Sequence, residues 1–383
     1  MGILWDTTYL TKAYLCPMAS TTFTPPKFPR NDETPFYKEI KKRVNAYFKE
    51  SGKSKKGDAR LYFKTFILAG TFLAGYLFLV LGTPAFSIAW MMWIILGILT
   101  AGIGFNIMHD GAHGSYSKHN WVNELAAHSA NMVGASVLFW KTKHNVVHHT
   151  YTNIDGLDDD IETGGLLRMA PSQFRKSIHK FQHRYFLLLY AMLFIYWVIW
   201  TDYEKYFSQK IGTVPMQPLT FGQHAGFWAW KIFHFGTFFV FPIIQLGFFP
   251  WLAGFAMMVV AAGVTLSVVF QLAHVVEETH FADVRENPSF ESPVEWAIHQ
   301  VRTTANFATK SRFITWFLGG LNFQIEHHLF PKVSHVHYPD ISKIVREVCD
   351  EFQVTYNDLG SFASAFQSHV RQLKNMGQMA EVS

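Results

Sequence analysis

The chain has 383 residues, 49% hydrophobic and 17% aromatic but only 16% charged, whereas a soluble domain averages about 25% charged residues. The deficit and the long apolar runs point to an integral membrane protein with one main body. The formal charge of +5 comes from Lys and Arg beside apolar segments, which suits anionic headgroups and not nucleic acid. Two cysteines in unrelated contexts, Cys16 and Cys349, exclude a disulfide framework, a Cys-rich zinc module and an iron–sulfur cluster on this chain.

Residues 1–17 lack a basic start followed by an unbroken apolar core, since Asp6 and Lys12 interrupt it, so they are not a signal peptide. Met18-Ala-Ser-Thr reads as a more ordinary start, with 1–17 an upstream remnant. Residues 20–36, rich in Thr and Pro, read as a surface loop. Residues 36–60 read as a basic amphipathic helix with Tyr37, Ile40, Val44 and Phe48 on one side. Lys and Arg dominate from Lys27 to Lys64, which marks that side, with both termini, as cytoplasmic.

Two apolar runs follow, 61–81 and 86–108. Each has the roughly 20 residues that a hydrocarbon core of about 30 Å requires. Only Gly82-Thr-Pro-Ala separates them, so they form a tight hairpin, and His109 emerges on the starting side. Residues 120–140 read as helix lying on or dipping into the interface. The acidic turn Asp158-Asp159-Asp160 reads as solvent-facing or next to the chemistry.

Three more apolar segments lie near 185–200, 227–249 and 251–272. If residues 109–149 and the histidines after 273 share one site, an even number of crossings separates them. One of the three therefore does not span. Lys231, His234 and Pro242 suit an interfacial 227–249, giving spans at 61–81, 86–108, 184–201 and 251–273. The alternative pairs 227–249 with 251–273 and leaves 185–200 at the interface. The expected fold is all-α: four transmembrane helices in two hairpins, interfacial helices and a cytosolic cap. Residues 1–60 form an N-terminal tail and helix, 61–340 the membrane domain and 341–383 a helical tail.

The chemistry lies in the histidines. His109 and His113 are four apart, as are His144 and His148. Residues so spaced share a helix face, and His149 adds a third imidazole turned by about 100°. Five imidazoles grouped beside a bilayer make a metal site a better account than packing. The last pair, His327 and His328, stands in Gln324-Ile-Glu326-His327-His328.

The three boxes HDGAH, HNVVHH and QIEHH, in this order around two helical hairpins, resemble those of the membrane fatty acid desaturase superfamily. The resemblance covers roughly residues 60–340. It implies two irons on the cytosolic face and an enzyme that inserts a double bond into a fatty acyl chain with O₂ and two external electrons. Carried over, it makes His109, His113, His144, His148, His149, His327 and His328 ligands. His274 matches a further ligand between the second and third boxes. Gln324 stands where many members have histidine and is similar to the front-end branch, which desaturates between an existing double bond and the carboxyl end. Gln324 ligates weakly or bonds through a metal-bound water. Front-end relatives often carry a fused cytochrome b5 domain, but no haem-binding His-Pro-Gly-Gly occurs here. Electrons are therefore expected from a separate donor, cytochrome b5 or ferredoxin with its reductase.

Removing hydrogen from an unactivated methylene needs a redox metal and O₂. Zinc has no redox chemistry, so iron is the best choice for imidazole-only ligation. The substrate, a CoA thioester or a phospholipid among membrane lipids, would lie in an apolar tunnel. Arg168, Arg175, Lys176 or Arg184 are candidates to pair with its phosphate, against an ordinary positive-inside role. Asp110, Asp158–Asp160, Asn106 and Asn322 are expected to orient imidazoles. Glu277 and Glu278 are weaker ligand candidates, with a surface helix face the default. Two other readings stay open: a membrane hydroxylase of the same architecture, and a divalent metal transporter. The second is disfavoured because the histidines sit at helix ends and not at mid-membrane depth.

Overall fold

The computed structural model describes residues 27–29, 34–82, 84–283 and 294–379. The readings of residues 1–17 and of 20–26 fall outside them. The first helix, α1 (Pro35–Ser51), buries Phe36, Ile40, Val44 and Phe48. That every-fourth-residue stripe makes one apolar face, with Phe36 in the row where Tyr37 was expected. It packs on Ile341, Val345 and Val348 of α10 (Tyr338–Glu351).

Helices α2 (Ala59–Gly82) and α3 (Phe86–Ala112) form the expected hairpin. Five helices among the described residues are long and apolar enough to cross a membrane, matching the five apolar segments: α2, α3, α5 (Ser177–Ser208), α6 (Phe221–Leu246) and α7 (Phe248–His274). Phe63, Phe66, Leu73 and Leu81 of α2 are exposed, an apolar surface suited to lipid.

Helix α7 is the most buried of the five and lies alongside α3. Gly254 sits under the Trp93 indole, Gly97 lies against the Met258 carbonyl and the Ala262 nitrogen, and Phe105 meets Phe270. Residue numbers rise together along both helices, so they run parallel and both end at histidine, His109 and His274. Small residues make this possible. Apolar helices gain nothing from leaving lipid, so they associate by close backbone approach, and a Cβ on Gly97 would overlap α7.

Helix α5 is tied to neighbouring segments at its middle and near its C-terminal end. Tyr190 bonds His369, whose other ring nitrogen meets the carbonyl of Val275, one residue past His274. At the far end Asp202 accepts from the Ser136 amide. Helix α6 packs on this end of α5. Lys231 donates to the Gly134 and Val198 carbonyls and pairs with Asp202 at 2.7 Å, while Phe239 packs on Trp251 and Phe255 at the start of α7. Gly247 (φ 85°) makes the turn between α6 and α7.

Candidate metal centre

Four segments deliver the histidines to one place, and a fifth, α8 (Trp296–Thr303), anchors two of them. The first is the end of α3, whose last turns widen to π-helix over Gly104–Met108 just before His109. The second is α4, built from Val137–Trp140, Lys141–His148 and His149–Tyr151, with a π-helical middle. The others are the end of α7 and α9 (Gln324–Leu329). All eight histidines singled out from the sequence are buried there.

They form two overlapping clusters. His109, His113, His144 and His327 make the first, and His148, His274 and His328 the second; His149 joins His327 and His328 between them. Within each group the nitrogens lie within 4.8 Å of one another. The expected pairing of the second box is kept, with His144 and His148 stacked at 5.2 Å between ring centres. The π-helical, five-residue hydrogen-bond step brings His149 to His144 as well, with Nε2 atoms 3.3 Å apart. His148 turns to His274, at 4.7 Å between ring centres. In the third box, neighbours on one helix diverge by about 100°, so His327 faces the first cluster and His328 the second.

The test for a metal is which nitrogens are free. The Nδ1 of His148 lies 3.1 Å from Asp158 and 3.2 Å from Asp160. His274 Nδ1 is 3.4 Å from the Thr303 carbonyl, and His328 Nδ1 is 2.9 Å from Gln300 Oε1. These partners only accept, so each Nδ1 carries the proton and each Nε2 keeps its lone pair. His327 Nδ1 meets the Tyr338 hydroxyl at 3.2 Å. The Nε2 atoms of His113, His148, His274, His327 and His328 are buried with no partner. Unpaired buried nitrogens are costly in an all-protein core and normal for metal ligands whose other nitrogen is anchored. The residues fit a pair of metal ions.

Electrostatics agrees. Burial, with repulsion among neighbouring rings, holds His113, His144, His149, His327 and His328 far below the usual imidazole range, so they stay neutral, as ligation requires. Burial also pushes His148 down, but Asp158 and Asp160 outweigh it and hold its pKa above the ordinary value. A cation there would displace that proton. Beside His327, burial lifts Glu326 to about 7 against hydrogen bonds from Asn306 and Tyr356.

Several expectations need correction. Asp158 is buried, not solvent-facing. Asp110 accepts from Ser334 and pairs with His335 at 3.1 Å, so it fixes that loop and no box histidine. Asn106 holds Lys64 and backbone carbonyls, and Asn322 donates to Thr315. Glu277 pairs with Arg371, and Glu278 accepts from Ser368, both on α11 (Phe362–Gln378). Arg168 is fully buried and its guanidinium donates to the Gln173, Met376 and Met379 carbonyls, which rules out a headgroup role. Gln324 Oε1 is buried without a partner. Sequence reasoning missed Gln300, Thr303 and Tyr338, which anchor three of the imidazoles. No spacing rule links them to the boxes.

Comparison with known proteins decides the family. The model of the fatty acid desaturase family matches residues 85–360. The chain belongs to the fatty acid desaturase family. It is 38% identical over 89% of its length to an sn-1 linoleoyl-lipid 6-desaturase of Arthrospira platensis, covering 92% of that protein. A Synechocystis protein of the same name is 36% identical over 90% of this chain and 96% of its own. An acyl-lipid (8-3)-desaturase of Physcomitrium patens is 36% identical over 89% of this chain and 72% of its own. This desaturase is an integral membrane oxidoreductase acting on fatty acyl chains.

Proposed function

We propose that this desaturase inserts a cis double bond into an acyl chain carried on a glycerolipid, between an existing double bond and the carboxyl end. The relatives' names support the acyl-lipid substrate and make a linoleoyl lipid the first to test. The observation that carries the metal assignment is the set of five buried, unpartnered Nε2 atoms. Two irons are the occupants we assign: one held by His109, His113, His144 and His327, the other by His148, His274 and His328, with His149 between and Gln324 Oε1 nearby in sequence as a further donor. Bound iron supplies the O₂ and electron chemistry that no side chain provides.

The residues' own work is positioning. Asp158, Gln300, Tyr338 and the Thr303 carbonyl fix the ring orientation of four imidazoles. Beside His109 a narrow apolar slot of about 30 Å³ is lined by Met108, Trp140, Phe194, Trp197, Leu266 and Phe270. Side chains there must yield to admit a chain. They would exclude water and hold one C–C bond toward the metals, each buried CH₂ contributing about 0.8 kcal/mol.

We read α6 and α7 as the second membrane hairpin, with α5 lying across the bundle on the histidine side. The length of α6, the tight turn at Gly247 and the packing of Phe239 on the start of α7 support this, and it satisfies the even number of crossings. The histidine side is assigned to the cytoplasm from the basic residues of 27–64, and the electron donor to a separate protein. Elemental analysis of detergent-purified protein beside His148→Ala, with chromatography of lipids from an expressing host, tests the reading. We expect about two irons per chain, reduced in the variant, and a new double bond made only by the wild type. No metal in either protein, or a new hydroxyl in place of the double bond, overturns it. Full activity in Gln324→Ala would remove Gln324 from the ligand set.

A further inference from the structure

Away from the histidines, the start of α5 and the end of α11 enclose a cleft of about 460 Å³. It is lined by Arg175, Lys180, Phe181, His183, Arg184, Lys374 and Gln378, with no carboxylate among the described residues that line it. Arg175 is anchored by donating to the Gly377 carbonyl at 2.8 Å, and the Arg184 guanidinium lies 5.7 Å from the Phe181 ring centre. His183 Nδ1 is buried there without a partner.

Like charges gathered together repel one another. The helix behind them adds to that field. Its α-helical part begins at Gln182 with no acid in the first turn, although the positive end of a helix dipole favours one. His183 and Arg184 stand there instead. The arrangement is unfavourable by itself and favourable around an anion.

The surroundings say which anion. Phe174, Ile178, Phe181 and Leu188, next to the cations in the chain, are 53–69% exposed. A free phosphate or nucleotide would leave that apolar rim in water. A phospholipid would cover it with acyl chain while its phosphate sits among the cations.

We propose that this cleft is a binding site for the headgroup of an anionic phospholipid, separate from the slot beside His109. The lipid held there need not be the one desaturated, so the proposal stands whatever the substrate. Lys180, Arg184 and Lys374 contact the phosphate, and His183 Nδ1 meets it or a glycerol oxygen.

The full-length protein, reconstituted in nanodiscs of equal parts phosphatidylglycerol and phosphatidylcholine, is released into detergent and its retained lipid identified by native mass spectrometry. Wild type is expected to keep phosphatidylglycerol selectively. K180Q/R184Q/K374Q is expected to lose that selectivity by at least about ten-fold, and K180R/K374R to retain it. K38Q/K41Q/K49Q removes the same charge from exposed positions of α1 and is expected to change nothing. If the triple variant does not fold, R184Q alone carries the test. Unchanged retention in the cleft variants overturns the site. So does equal loss in the α1 control, which would mean diffuse attraction, or complete displacement by inorganic phosphate, which would mean a free-anion site.

Discussion

The two histidine clusters are built on different principles. In the second, each imidazole is fixed by a hydrogen bond from outside the cluster: Asp158 to His148, the Thr303 carbonyl to His274, Gln300 to His328. In the first, Tyr338 holds His327, but the other three rings pack on one another and on an indole. Trp140 stacks on His144 at 4.3 Å, and His109 and His113 pack edge-on against the same indole. The apolar slot opens only on the first, at His109. A hydrogen-bonded cage gives tight, stiff ligation, and an aromatic wall leaves an open apolar approach. The difference predicts tighter metal retention by one cluster and contact with the acyl chain at the other.

The largest effect should come from removing a ligand on either side. His148→Ala and His109→Ala are each expected to abolish detectable desaturation, with metal analysis showing loss concentrated in the cluster that was cut. Equal metal retention in both variants would end the comparison. Next, Asp158→Asn should weaken metal binding by roughly 10–100-fold, measured by competition with a chelator, while leaving the first cluster loaded. Leu266→Phe narrows the slot at an overpacking cost of about 1–3 kcal/mol. It should lower product yield in whole-cell lipid analysis at full metal content, and a loss of metal would contradict the assignment of Leu266 to substrate. Smallest, Tyr338→Phe removes one hydrogen bond, worth about 0.5–1.5 kcal/mol, and should reduce turnover a few-fold with the fold intact by circular dichroism.

What could be read in advance follows the same division. Periodicity and ligand type act locally, so the α2–α3 hairpin, the apolar face of α1 and the histidine groups were legible. The approach of His149 to His144 was not, because the π-helical step over Lys141–His148 depends on packing around α4. Lys231, His234 and Pro242 made 227–249 look interfacial. Within the fold Lys231 is half of a buried pair with Asp202, and that partner, 29 residues away, leaves no periodic trace. Gln300 and Tyr338 escaped for the same reason. The Gly97 and Gly254 contacts that set α3 beside α7 are likewise invisible until both helices are placed.

One feature bears on how the protein is made. His327 and His328 sit side by side on α9 yet serve different clusters, so neither cluster is complete until that short helix has been synthesised and docked. The earlier histidines leave the ribosome well before His327 and His328. A nascent chain therefore presents two half-built sites, with unpaired imidazoles, to whatever cations the cell offers. Docking of α9 is therefore the step that completes both histidine clusters.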